Sequence, residues 1–145
     1  MFVEGVAAMA SVSLTALYFM QNRLIYPSWA QGARDQVDTP ASYGLPYRLV
    51  QLTTSDGIKI EAYDMQNTSG GSESTVLILC PNAGNIGYFI PIADIFYRQL
   101  NMSVFLYSYR GYGHSEGSPS EKGLKLDADC VIAHLSQDSF HKKNK

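Results

Sequence analysis

The chain has 145 residues, a formal net charge of −2 and 46% hydrophobic residues, which is the composition of one ordinary folded domain. The charge balance and the absence of a basic stripe exclude nucleic acid as a partner. Cys80 and Cys130 are the only cysteines and both lie in apolar surroundings, so no disulfide framework is expected. The three histidines lack ligand spacing, so no metal or cofactor is expected.

The N-terminus carries a run without a charged residue, from Gly5 to Met20. A spanning helix needs about 17 to 25 apolar residues, and this run reaches that length only with its polar flank. Tyr18 and Trp29 suit an interfacial aromatic belt. The pattern predicts a membrane-anchor segment over residues 1–22 of a single-pass protein, with a helix buried in the domain as the alternative. The orientation stays open because few charges flank the run.

Residues 23–47 form a connector that is rich in proline, glycine and polar residues, and it is expected to run as extended surface chain. The domain then covers residues 48–138. Residues 48–53 and 58–65 alternate in polarity on either side of the turn sequence Ser55-Asp56-Gly57, which predicts a β-hairpin.

Strands and helices alternate after the hairpin. The apolar run 75–80 predicts a strand covered on both faces, and 103–109 predicts a second strand. Residues 88–100 predict a helix with an apolar face of Ile92, Ile95, Phe96 and Leu100. The order hairpin, strand, helix, strand, helix indicates an α/β domain with parallel later strands.

The last helix is expected to begin at a capping box, with Ser118 as N-cap, Pro119 at the first helical position and Glu121 at the third. Lys122, Lys125, Asp127 and Asp129 are assigned mostly to its solvated side. Its predicted inward stripe consists of Leu124, Ala128, Val131, Ile132 and Leu135.

The loop from Cys80 to Gly87 offers clustered backbone N–H groups between a strand and a helix, where donors can stabilise a developing negative charge. A phosphate cradle is the competing functional interpretation, but the glycine and lysine spacing that it requires is missing. The third alternative is an ordinary turn in which Asn82 or Asn85 caps the helix.

A second loop contains Gly113-His114-Ser115-Glu116-Gly117, which satisfies the Gly-x-Ser-x-Gly pattern of a nucleophile elbow. Arg110 and Glu116 are expected to pair in this loop. The pattern alone makes Ser115 a candidate nucleophile.

Four segments together carry a family resemblance: "LIYPS" at 24–28, "NAGN" at 82–85, "YSYRGYGHSEGSPSEKGL" at 107–124 and the following "DADCVIAHL". In that order and spacing, the chain resembles the α/β-hydrolases of the bud-emergence type over roughly residues 21–136. These are membrane-anchored members of the serine-hydrolase clan, related to the human α/β-hydrolase domain-containing proteins. Family members typically read His-Gly where this chain has Cys80-Pro81.

The resemblance implies the N-terminal part of an α/β-hydrolase fold, a β-hairpin followed by β-α-β-α, with the amides of Asn82 and Ala83 as oxyanion-hole donors. It implies hydrolysis of an ester, thioester or amide of an acyl-type small-molecule or protein substrate, in a protein of the endoplasmic reticulum or plasma membrane. The elbow serine of this fold stands at the end of a later strand, and the acid and histidine follow it. Ser115 is therefore interpreted as a decoy.

His134 and His141 are interpreted as coincidental rather than as members of a triad, because no suitably placed acid precedes them. The polar tail 139–145 does not continue the pattern of buried strands. We therefore expect a truncated hydrolase without nucleophile, acid and histidine, inactive as this chain alone. The alternative is a non-catalytic, membrane-associated binding module, a pseudohydrolase.

Overall fold

A computed structural model describes residues 2–69 and 74–142 of the chain. It begins with helix α1 (Phe2–Ile25), whose described side chains are exposed, including Phe19 at 77%. Within the described ranges, no helix has both the length and the apolar character that crossing a membrane requires. The predicted membrane-spanning segment is therefore not supported, since serine and threonine interrupt a short uncharged run. The alternative of a buried helix is not seen either.

The connector departs from the extended surface chain that the sequence predicts. It contains a 3-10 helix, Pro40–Tyr43, and it buries Ala33 and Leu45, the latter inside a hydrophobic core. The amide of Asn85 donates from Nδ2 to the carbonyl of Gly32 at 2.6 Å and ties the connector to the domain. The connector is thus part of the packed unit.

The sheet has four strands in the order β1-β2-β4-β3. Strands β1 (Arg48–Thr53) and β2 (Lys59–Met65) form the predicted antiparallel hairpin. Strand β2 also pairs antiparallel with β4 (Ser103–Tyr107), which in turn pairs parallel with β3 (Thr75–Ile78). The prediction of parallel later strands is therefore confirmed for β3 and β4.

Strand β3 is less buried than its sequence predicts. All four of its residues are half-buried, whereas all five residues of β4 are buried. The reason is topological: among the described residues, β3 pairs only with β4 and lies at the edge of the sheet. An apolar run specifies a strand but not its neighbours.

A continuous helical segment connects β3 to β4. It comprises a 3-10 turn (Ile86–Phe89), helix α2 (Ile90–Asp94) and a π-helical turn (Ile95–Gln99). The predicted apolar face was largely wrong, because Ile92, Ile95 and Leu100 are exposed and only Phe96 packs against a core. The buried contacts come instead from Ile86, Ile90 and Ala93, which form a second apolar stripe at helical spacing.

Helix α3 (Glu121–Gln137) begins two residues later than predicted, because its N-cap is Ser120, whose Oγ accepts a hydrogen bond from Gly123 N at 3.1 Å. The prediction for Asp127 was also wrong, since this residue is fully buried, whereas Ile132 of the predicted inward stripe is 54% exposed. A short helix α4 (Ser139–Lys142) follows; the remainder of the predicted tail, residues 143–145, lies outside the described residues.

The two faces of the sheet bury two hydrophobic cores, as alternation along a strand requires. On β4, Val104 and Leu106 pack on the side of the connector and α2, whereas Phe105 and Tyr107 pack on the side of α3 with Val131. The sheet is therefore covered on both faces, and the loops at its ends are left for function.

Candidate active-site loop

The loops that follow β3 and β4 meet at the carboxyl ends of these two strands. Because β3 and β4 are parallel, the loops that follow them leave from the same end. The hydroxyl of Tyr112, in the loop after β4, donates to the backbone oxygen of Asn82, in the loop after β3, at 2.6 Å. A small cavity of about 10 Å³ lies behind them, with Cys80 and Ser108 among its lining residues. The sequence predicts the oxyanion loop at this end of the strands.

The buried side chain of Asn85 holds the loop after β3 in place. It is 2% exposed; its Oδ1 accepts from the backbone N–H of Gly87 at 2.8 Å, and its Nδ2 donates to the connector. Of the two capping candidates, Asn85 is therefore the residue that caps the helical segment. The Asn82 side chain instead donates from Nδ2 to the carbonyl of Ile25, at the end of α1. The loop is thus bound to the connector, to α1 and to Tyr112.

Asn82 and Ala83 themselves are exposed. Within residues 2–69 and 74–142, no hydrogen bond uses the backbone N–H of either residue. The structure thus places two exposed residues, whose backbone N–H groups make no described hydrogen bond, at the carboxyl end of a parallel strand. Such donors can bind an anion or a developing oxyanion.

Cys80 occupies the position where the resembling family has histidine. Its side chain is buried, and the Sγ atom lies 3.9 Å from the carbonyl oxygen of Tyr107. Burial raises the pKa of the Cys80 thiol to about 12. The thiol is therefore protonated at neutral pH and behaves as a small apolar side chain rather than a nucleophile.

Ser115 belongs to the loop after β4, and its side chain is fully buried. Its Oγ donates to the carbonyl of Ser108 at 2.9 Å and accepts from the backbone N–H of Glu61 at 2.9 Å. The hydroxyl thus links this loop to β2 and β4. A nucleophile elbow, in contrast, exposes its serine at the top of the sheet.

Arg110 lies at the start of the same loop and does not pair with Glu116, so that expectation was wrong. Its guanidinium binds two other carboxylates: Asp127 on α3, with Nε 2.9 Å and Nη2 2.8 Å from Oδ1, and Asp56 in the hairpin turn, with Nη1 2.7 Å from Oδ2. Asp127 also accepts from the Arg110 backbone N–H at 3.0 Å. The hairpin turn, the loop and α3 are held together by this one side chain, whereas Glu116 binds the backbone N–H of Lys59.

His141 makes contacts that sequence reasoning missed. It is 4% exposed, with Nε2 at 3.1 Å from Asp64 Oδ1 and Nδ1 at 2.9 Å from Thr75 Oγ1. Burial alone would raise the pKa of Asp64, but hydrogen bonds with His141 and Arg48 outweigh it and lower that pKa. Thr75 is the first residue of β3, whereas the loop of Asn82 follows the last residue of that strand, so the two sites lie at opposite ends of β3. The polar tail gave no signal that it would pack here.

The fold that these elements define is that of the α/β-hydrolases. An esterase of Pyrococcus furiosus superposes with a TM-score of 0.63 at 24% identity, covering 75% of this chain and 42% of the esterase. An α/β-hydrolase from Vibrio vulnificus gives a TM-score of 0.66 at 24% identity, covering 84% of this chain and 43% of that structure. The predicted α/β-hydrolase-like fold is therefore confirmed. No family model matches the chain.

The sequence relatives agree with this fold. An uncharacterized membrane protein of Saccharomyces cerevisiae is 69% identical over 145 residues, which is 100% of this chain and 50% of that protein. The protein bem46 of Schizosaccharomyces pombe is 43% identical over 98% of this chain and 49% of its own length. The α/β-hydrolase domain-containing protein WAV2 of Arabidopsis thaliana is 33% identical over 91% of this chain and 43% of its own length. The chain spans about half the length of the curated relatives it matches.

Proposed function

We propose that this chain supplies the oxyanion-binding half of a serine hydrolase of the bem46-like group, which hydrolyses an ester, thioester or amide. The observation that carries the proposal is the pair of exposed residues Asn82 and Ala83, whose backbone N–H groups donate to no described residue. Hydrogen-bond donors aimed at a developing oxyanion lower the barrier to acyl transfer. Removing one such donor typically raises that barrier by about 3–4 kcal/mol.

The proposal assigns the nucleophile, acid and histidine to residues outside this chain. Two facts support that assignment: Ser115 is buried with its hydroxyl bonded on both sides, and the relatives are about twice as long as the region matched. Ser115 then has a structural role, and this chain alone does not turn over substrate. In this fold the serine, acid and histidine follow one another along the chain.

The test uses a chimera in which this chain replaces the matched region of the Saccharomyces cerevisiae relative. We expect a fluorophosphonate probe to label the chimera and to leave the 145-residue chain unlabelled. Ala83→Pro removes one amide donor and should lower kcat about 100-fold or more, whereas the control Ala83→Ser keeps the donor. An adduct on Ser115 would refute the proposal. An unlabelled, folded chimera would instead favour the pseudohydrolase.

We propose further that the protein associates with membranes through α1. Supporting observations are the exposed apolar side chains of that helix, such as Leu17 and Phe19, and the naming of the Saccharomyces cerevisiae relative as a membrane protein. Phe19→Glu should reduce flotation of the chain with phosphatidylcholine vesicles. Leu100→Glu, which adds the same charge at an exposed apolar site in the domain, serves as the control. Equal flotation of both variants and the wild type would contradict this role of α1.

A further inference from the structure

A cavity of about 500 Å³ opens where the C-terminal end of α1, the connector and the loop before α3 come together. Its lining is unusual for this chain because it combines two arginines with hydroxyl and amide groups. The polar groups are Arg23, Arg34, Asn22, Tyr26, Ser28 and Ser118. A lining of this kind offers only hydrogen-bond donors with positive charge and neutral polar groups, so it suits an anion.

The charge of the cavity is not neutralised from within. No carboxylate is among the residues that line it, and Arg23 makes no ion pair with any residue in the described ranges. Among the described residues, the Arg34 side chain makes one hydrogen bond, from Nη2 to the carbonyl oxygen of Ser115 at 3.0 Å. Its remaining N–H groups are available for a ligand, and guanidinium groups bind phosphate oxygens in a bidentate manner.

The end of α1 would itself repel an anion, since unsatisfied carbonyls give a helix C-terminus partial negative charge. Here three of those carbonyls already accept hydrogen bonds. Asn22 O accepts from the Tyr26 amide at 2.9 Å, Arg23 O accepts from Trp29 Nε1 at 2.8 Å, and Ile25 O accepts from Asn82. The positive side chains therefore dominate the cavity.

A neighbouring groove strengthens the positive field. It shares Asn22 with the cavity and is lined by Lys122 and Lys125 at the start of α3. Its one carboxylate, Glu121, is 2.6 Å from the ammonium of Lys125 and is exposed. The carboxylate of this groove is thus already paired, while Lys122 adds a further positive charge.

We propose that this cavity binds a phosphate monoester group, held by Arg23 and Arg34. The same chemistry is presented by the headgroup of phosphatidic acid and by a soluble phosphate. Leu24 and Ile25 follow Arg23 on α1 and are exposed, so acyl chains of a bound lipid could follow the apolar helix. The site is separate from the hydrolase proposal, because neither arginine lies in the loop of Asn82.

Binding is measured on the 145-residue chain in dodecyl maltoside by titration with inorganic phosphate, and by flotation with vesicles. The vesicles contain either phosphatidylcholine alone or phosphatidylcholine with phosphatidic acid. Arg23→Gln is the informative variant, since its guanidinium supports no other described contact, and it should weaken phosphate binding by about tenfold, which is about 1.4 kcal/mol. Lys59→Gln removes one exposed positive charge elsewhere and should leave binding unchanged.

If the source is a lipid headgroup, Arg23→Gln also abolishes the gain in flotation that phosphatidic acid gives, while flotation with phosphatidylcholine alone is unaffected. If the source is a soluble phosphate, titration responds to the variant and phosphatidic acid gives no gain. Either result supports the site. Absence of phosphate binding, or equal binding by wild type, Arg23→Gln and Arg34→Gln, overturns it. Loss of flotation on both kinds of vesicle in Phe19→Glu concerns α1 alone.

Discussion

Replacing Arg110 by methionine removes the guanidinium group of the buried network and keeps an apolar side chain of similar length. The side chain of Arg110 is 6% exposed and that of Asp127 is 0% exposed. Methionine retains the length that packs beside Gly123 but cannot donate to a carboxylate. The substitution removes the contacts from Nε and Nη2 to Asp127 Oδ1, at 2.9 and 2.8 Å. Of the contacts among residues 2–69 and 74–142, it leaves the carboxylate the backbone N–H of residue 110 alone.

The expected loss follows from the position of Asp127. Removing one partner of a buried ion pair leaves an uncompensated charge in a low dielectric, which typically costs about 3–5 kcal/mol. We therefore expect Arg110→Met to lower the free energy of unfolding by about 3–5 kcal/mol. Asp127→Asn in the same chain removes the stranded charge, so the double variant should recover at least about 1 kcal/mol of that loss.

Urea unfolding followed by far-UV circular dichroism measures these differences, with Arg98→Met as the matched control. Arg98 is half-exposed, and its partners are Asp94, one helical turn away, and the carbonyl oxygens of Tyr43 and Gly44. Because these contacts are exposed to solvent, the loss of Arg98 should cost less than the loss of Arg110. If Arg110→Met costs no more than Arg98→Met, or if Asp127→Asn adds to its loss, the network does not hold this loop as described. Should Arg110→Met fail to fold, Arg110→Lys keeps the charge and must retain part of the stability.

Three further predictions concern buried groups. Gly123→Ala should destabilise the chain by about 1–3 kcal/mol despite the better helix propensity of alanine, because a Cβ there would lie 2.6 Å from Cδ of the pinned Arg110. Asp64→Asn should flatten the acid branch of stability against pH: with its pKa lowered in the fold, Asp64 stabilises the chain above its unfolded pKa of about 3.9, and that contribution is lost as pH falls through the folded pKa. Cys130 should react with iodoacetamide well before Cys80 in the folded chain, because burial raises the pKa of Cys80 to about 12.

Each of these has its own control and contrary result. Gly5→Ala, in α1 with nothing within 4 Å of its added Cβ, should not destabilise, and an equal loss at both glycines would refute the clash. For Asp64→Asn, an unchanged acid branch assigns the pH dependence to other carboxyls. For the cysteines, peptide mass spectrometry locates the label, and early modification of Cys80 would contradict its burial.

The sequence predicted the hairpin, the two later strands and the last helix because each carries its own periodicity or turn chemistry. It failed where tertiary partners decide. Asp127 looked like one of several charged residues on a solvated face, and only Arg110, brought in by the loop after β4, explains its burial. The faces of the middle helix failed for a related reason: two apolar stripes exist, and the sheet selects the one that contains Ile90.

The candidate site was predictable only in part. Small residues after a buried strand indicated a donor loop, but nothing local indicated that Asn85 would bind the connector or that Ile25 would contact Asn82. The contacts of His141 could not be predicted for the same reason, since its partners Asp64 and Thr75 lie far away in the sequence. Contacts between distant segments depend on topology, which periodicity does not encode.

The Gly-x-Ser-x-Gly pattern gains a physical explanation from these contacts. The polar residues of the loop after β4 that match the family motif bind other structural elements: Arg110 binds α3 and the hairpin turn, Tyr112 binds Asn82, and Ser115 and Glu116 both bind β2. These contacts hold the loop after β4 in place, and Tyr112 is the residue that connects it to the loop of Asn82. The serine fits a catalytic pattern because glycines are needed at tight turns on both sides of it: Gly113 and Gly117 have φ of 51° and 79°, which other residues rarely adopt. A motif strict enough to resemble a nucleophile elbow can thus arise from the geometry of a buried brace.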